Sequence, residues 1–140
     1  GEAGVVTREE IMRLEGRELD IQVAFRVFEI PYEICIEGDS DSGLDAFVHI
    51  GAGLKGPLPR YSTDMDAAWQ VVERMTMMGY QFELSFVQGA EYESAPWLAM
   101  FCKPPRRVGA VHTAFGSTAT EAICRAALRA MEEAERNADA

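Results

Sequence analysis

The sequence predicts an α+β fold, a single domain in which an antiparallel sheet of three or more strands packs with helices. Three observations carry this. Apolar residues recur at helical spacing in 17–29, 65–76 and 121–131; strict alternation runs through 81–86; and Gly, Pro and capping residues separate these segments at short intervals. Residues 61–136 read as helix, three strands, helix, with a helix and a hairpin added by the N-terminal half.

Residues 1–6 read as a disordered leader and 7–140 as the domain. Thr7-Arg8-Glu9-Glu10 has the form of a capping box, the hydroxyl serving one amide and the glutamate returning a bond. The helix it opens breaks near Gly16. Leu19, Val23 and Val27 recur at steps of four and define a helix over 17–29, which Pro31 ends by excluding the residue before it from helical backbone. Ile34 and Ile36 alternate with polar neighbours, the run from Gly38 to Gly43 is turn-forming, and Ala46–Ile50 is apolar, so a hairpin follows. Gly51, Gly53, Gly56, Pro57 and Pro59 then read as an irregular connector.

Ser62, Thr63 and Asp64 offer caps and a favourable first-turn charge to the next helix, whose buried face is expected at Met65, Ala68, Trp69, Val72 and Met75. Gly79 stops it. Phe82, Leu84 and Phe86 alternate with Gln81, Glu83 and Ser85, the pattern of a strand with one buried face. Trp97–Cys102 is apolar at both parities, as in a strand covered on both faces, and Val108–Phe115 supplies the third strand. Thr118 and Glu121 form a second capping box. The helix after it places Ile123, Cys124, Ala127, Leu128 and Met131 on one face, opposite Arg125, Arg129, Glu132 and Arg136.

Charge and composition exclude several functions. The 140 residues carry 13 Lys+Arg and 23 Asp+Glu, a formal net charge of −10. Phosphate-backbone binding needs clustered bases, so this balance argues against nucleic acid and for basic partners. No apolar run is long enough for a membrane helix. Cys35, Cys102 and Cys124 are too few and scattered for a disulfide framework or a zinc site, so a reduced cytoplasmic protein in the host cell is expected.

The candidate chemistry is sparse. Asp39, Asp41 and Asp45 do not match the Gly and Glu positions of a calcium loop. Gly51–Gly56 lacks the spacing of a phosphate loop. His49 and His112 show no metal-ligand or nucleophile spacing with the cysteines, and Cys124 sits on an apolar helix face where cysteine packs as a small hydrophobe. Neither a catalytic set nor a cofactor or metal site is therefore assigned. One basic window stands out: residues 103–129 hold Lys103, Arg106, Arg107, Arg125 and Arg129 against Glu121 alone. With the aromatic ring of Tyr61, these residues form the candidate site for a nucleotide or small anion.

The run Pro59-Arg60-Tyr61-Ser62-Thr63-Asp64-Met65-Asp66-Ala67-Ala68-Trp69-Gln70-Val71-Val72-Glu73 resembles the helix-opening motif of the phage α-β-α sandwich domain family of small phage and prophage proteins. Ala122-Ile123-Cys124-Arg125-Ala126-Ala127-Leu128 resembles its closing helix, and Glu15-Gly16-Arg17-Glu18-Leu19-Asp20 its N-terminal helix start. The resemblance implies helices packed around an antiparallel sheet. The family's activity is unassigned, so it lends no catalytic residues. The strand order also resembles a double-stranded RNA-binding domain, but Thr118-Ala119-Thr120-Glu121 stands where that module needs bases. The expectation is a non-enzymatic phage or prophage accessory protein acting by binding. Its partner would be a host or phage protein, such as a host nuclease or defence protein that it inhibits. A nucleotide or small-anion binder and a duplex-RNA-binding-like module are the alternatives, and self-association as a homodimer accords with its apolar strands.

Overall fold

The computed structural model describes residues 7–29, 35–39, 43–51, 54–104 and 110–138. The expected leader and the centre of the acidic turn at 40–42 lie outside them.

Helix α1 spans Arg8–Arg13 and α2 spans Gly16–Arg26. The Thr7 hydroxyl oxygen accepts from the Glu10 amide at 3.2 Å, while the Glu10 carboxylate takes the Thr7 hydroxyl rather than its amide. Gly16 opens α2 at φ +59°, a left-handed backbone that glycine adopts without strain and that breaks the two helices apart. The second helix stops earlier than Pro31 would require. The Val27 and Phe28 amides both return to the Val23 carbonyl and Glu29 turns left-handed at φ 54°.

Strands β1 (Cys35–Asp39), β2 (Gly43–Gly51) and β3 (Leu54–Pro57) form an antiparallel sheet in that order. The expected hairpin is therefore present, and the glycine- and proline-rich connector contributes a third strand in place of irregular backbone. Proline is tolerated there because β3 is an edge strand, where Pro57 needs no second ladder partner. The register shifts between His49 and Gly51, and β2 lies beside α2.

Helix α3 (Met65–Met77) leads into a second antiparallel sheet, β4 (Gln81–Phe86), β5 (Trp97–Cys102) and β6 (Val111–Gly116), with a short 3-10 turn at Ala90–Tyr92. Its register puts Phe82, Phe101 and His112 side by side, and likewise Leu84, Ala99 and Ala114. Helix α4 (Ala119–Ala138) lies on β5 and β6 and also packs against α1, α2 and α3. Everything from Ala122 to Leu128 is buried. The one-faced amphipathic helix expected from sequence is thus enclosed on nearly all sides over its first turns. Ala122, Ala126 and Ala130, four apart and buried, are small enough to let neighbours approach on a second face.

Two other faces differ from expectation. The buried side of α3 is Ala67, Ala68, Val71, Val72 and Met75, which leaves Met65 and Trp69 exposed. On β5, Ala99, Phe101 and Cys102 are buried but Leu98 and Met100 only half so. The face of Leu98 and Met100 is shared with Glu83 and Ser85 of β4, and that polar flank keeps it wet.

At the β6–α4 corner, a Cβ on Gly116 would stand 2.5 Å from the Ala122 nitrogen and 2.9 Å from the Thr118 carbonyl oxygen, both backbone atoms. Gly116→Ala should therefore cost about 2 kcal/mol, as overpacking typically does. A lower urea midpoint at unchanged m-value would record it.

Candidate functional site

The structure separates the described residues of the predicted basic site. Arg125 is buried. Its Nε and Nη2 donate to the Leu14 carbonyl at 3.2 and 3.0 Å, and its Nη1 donates to the Phe115 carbonyl at 3.1 Å and lies 2.9 Å from the Glu121 carboxylate. These bonds join the α1–α2 link, the end of β6 and the first turn of α4, so the donors point into the fold. Tyr61 is also inside: its ring stacks on Phe28 at 5.1 Å, and burial, with Asp20 and Cys124 adding smaller effects, pushes its phenol up to about 12. Arg129, one turn beyond Arg125, donates to the Thr113 carbonyl. Arg106 and Arg107 lie outside the described residues. Lys103 is exposed, with its Nζ 4.9 Å from the centre of the Tyr80 ring.

The hydroxyl motif Ser62-Thr63-Asp64 serves the helix start, as its capping chemistry suggests. Asp64 is the cap of α3, accepting from the Asp66 amide at 3.2 Å. Ser62 is buried, its amide donating to Asp20 at 2.8 Å and its hydroxyl to the Gly16 carbonyl at 3.1 Å. Thr120 donates to the Ser62 carbonyl at 2.6 Å, and Arg17 completes the set with a 2.9 Å ion pair to Asp20. This network ties the starts of α2, α3 and α4 together. A cavity of about 410 Å³ opens among them, lined by Gly16, Ser62, Thr63, Met65 and residues 118–121. Its polar groups serve the fold: the Thr118 hydroxyl oxygen accepts from the Glu121 amide at 3.2 Å, while the Glu121 carboxylate accepts from the Ser117 amide at 3.0 Å, one residue before the cap that a capping box would use.

Two other surfaces have features that a ligand could use. A cavity of about 220 Å³ is lined by Tyr80, Lys103, Ala110, His112, Ala130, Glu133 and Ala134. Tyr80 and His112 meet there edge to face at 6.1 Å. Burial lowers the His112 imidazole below its ordinary value, the Glu133 carboxylate opposes this and Arg129 reinforces it. Burial raises the Tyr80 phenol. On the β4 side, Trp69 meets Phe82 at 6.2 Å and Phe86 meets Trp97 at 5.1 Å, both edge to face. A groove of about 410 Å³ continues past Phe86, lined by residues 87–90 and by Tyr92, Glu93 and Pro96. Sequence reasoning missed Tyr80 and Glu133. The strand pairing of Phe101 with His112 was the available signal that the ends of β5 and β6 face α4 together.

Among the described residues no group of three or more His, Cys, Asp and Glu side chains is placed to hold a metal, and no helix is long and apolar enough to cross a membrane. Cys102 and Cys124 are free thiols in buried positions, and burial pushes Cys124 well above the ordinary thiol range.

The family described as the phage ABA sandwich domain matches residues 23–128. The chain belongs to this family. A crystal structure of a phage protein from Bacillus cereus is similar to the phage ABA sandwich chain at 21% identity and a TM-score of 0.57, covering 84% of this chain and 92% of that one. At that identity the likeness is one of fold. No curated protein matches the chain.

Two outcomes follow for this phage ABA sandwich fold. Arg125→Met removes the donors from two buried carbonyls and should destabilise the protein by about 3 kcal/mol, measured by chemical denaturation. Tyr61 is neutral in the fold up to about 12, against 10.0 as its ordinary value. A pKa raised by folding stabilises the fold fully below the unfolded value and loses that contribution as pH climbs through the folded one. Wild type should therefore lose more stability than Tyr61→Phe between pH 10 and 12. Thermal melts of both across that window, with phenolate absorbance followed in parallel, test it.

Proposed function

We propose that the protein is a non-enzymatic phage accessory protein that grips a basic protein partner with the face made by α3 and β4. The observation that supports this is an exposed aromatic and methionine surface: Met65 is 42%, Trp69 47% and Phe86 55% exposed. The edge-to-face pairs with Phe82 and Trp97, and Leu84 between the two β4 phenylalanines, make this one run rather than scattered residues.

Charge sets the partner's chemistry. Between residues 61 and 102 the chain carries Asp64, Asp66, Glu73, Glu83, Glu91 and Glu93, with Arg74 as the one base. Arg74 turns its Nε to the Val27 carbonyl at 3.1 Å. An apolar centre with carboxylates on the same elements suits a surface of lysines and arginines around an apolar contact, and it speeds encounter at low salt. The groove beside Phe86, at about 410 Å³, has the volume for an arginine or lysine stem, with Glu93 as counter-ion and Tyr92 as apolar wall. A second copy would bring the same carboxylates, which disfavours self-pairing here. Basic surfaces of this kind belong to proteins that handle nucleic acid. Covering one would inhibit it, so a host nuclease or defence protein is the partner class that this reading favours.

The test uses wild type and the double variant Trp69→Ala, Phe86→Ala, whose thermal melts should be close. Wild type should retain an identified host protein of basic surface, release it as salt is raised, and bind it again from purified components. The double variant should bind roughly tenfold or more weakly, as loss of interface aromatics does. Equal binding by the variant, an acidic partner, or recovery of wild type alone would overturn the reading.

A further inference from the structure

The cavity where β5 ends and β6 begins offers chemistry that the α3–β4 face does not use. Lys103 follows β5 on the rim, and its ammonium lies over the Tyr80 ring 4.9 Å from the centre. His112 is buried beneath, opposite Phe101 in the register, with its ring 6.1 Å from Tyr80. Among the described residues no hydrogen bond ties the Tyr80 hydroxyl or the His112 ring to another group, and no acid pairs with Lys103. Arg129 is near enough to influence the His112 charge state, and Glu133, the acid on the cavity wall, is itself 3.7 Å from Arg136. Among the described residues, a cation without an acid partner and a phenol and an imidazole without hydrogen bonds thus converge on one small volume in a protein of net charge −10.

We propose that this cavity binds a small oxyanion, a phosphate or carboxylate head, held by the Lys103 ammonium and by hydrogen bonds from Tyr80 and His112. Size narrows the ligand. At about 220 Å³ the cavity is below the roughly 300 Å³ at which pockets for drug-sized molecules begin, so a nucleotide base and sugar do not fit inside with their phosphate. The occupant is a free ion, or a compact metabolite or side chain bearing one anionic group. The polar groups are also suited to an anion in their protonation: burial disfavours the charged forms of both Tyr80 and His112, leaving each an N–H or O–H to donate. Glu133 opposes an anion, and its carboxylate limits affinity rather than creating it.

The experiment is a titration of the full chain with inorganic phosphate and, separately, acetate, read by the ring resonances of the two histidines. His112 should shift saturably while His49, on β2, stays fixed. Preference for phosphate or for acetate assigns the head group. Lys103→Ala, an exposed substitution, should weaken binding about tenfold, the effect of losing one charge-assisted hydrogen bond. Glu133→Gln should strengthen it. A His112 shift that never saturates with either anion, one that chloride reproduces, or one unchanged in Lys103→Ala would each overturn the site. None of these outcomes depends on the protein partner, since no partner is present.

Discussion

The guanidinium of Arg125 is the interaction on which the rest of the fold leans. A buried charge is costly unless its donors are satisfied, and here they are satisfied by the backbone carbonyl of Leu14 in the α1–α2 link, distant in sequence, by the carbonyl of Phe115 at the end of β6, and by the carboxylate of α4's own Glu121. Moving any of these away would strand the charge. The position of the N-terminal helices relative to the second sheet is therefore specified by hydrogen-bond geometry, and the alanine-lined surfaces of α4 alone would allow them to slide. The Asp20–Ser62–Thr120 network repeats the device at the helix starts, with a carboxylate in place of a cation.

This arrangement explains which features were legible in the sequence. Period and punctuation marked α1, α3, β4, β5, β6 and α4, because local backbone preference and burial agree there. The threonine caps at Thr7 and Thr118 were readable for the same reason, although the returning glutamate bonds go elsewhere than to the cap amides. Trp69 was misplaced because periodicity does not fix the rotation of a helix. Ala67 and Val71 carry little signal, yet they take the core side since small residues suit close packing against α4. β3 was hidden by Gly56 and Pro57, residues that an edge strand accepts and a central one rejects.

The site was the less legible part. Lys103 was found by counting charge, but the same count enrolled Arg125, whose role depends on carbonyl groups distant in sequence. Tyr61 read as an available ring and is a core residue, stacked on Phe28. Conversely, Tyr80 and Glu133 have no pattern of their own; the pairing of β4 with β5 sets Tyr80 beside Lys103, and α4 packed on β5 and β6 supplies Glu133. Where function rests on exposed aromatics or on groups gathered from three elements, one-dimensional patterns mark the ingredients and tertiary packing makes the selection.

Placing the hub after every element that docks on it has a consequence for synthesis. Helices α1 and α2 leave the ribosome long before α4, yet they dock on it, and the second sheet presents its apolar face for the same helix. Contacts of this sequence separation delay closure, since the chain must first span the loop between them. Until residues 119–138 emerge, the earlier elements have no common surface to bury against. The nascent protein must thus wait with its hydrophobic residues uncovered, in the period when chaperones of the cell making it have most access.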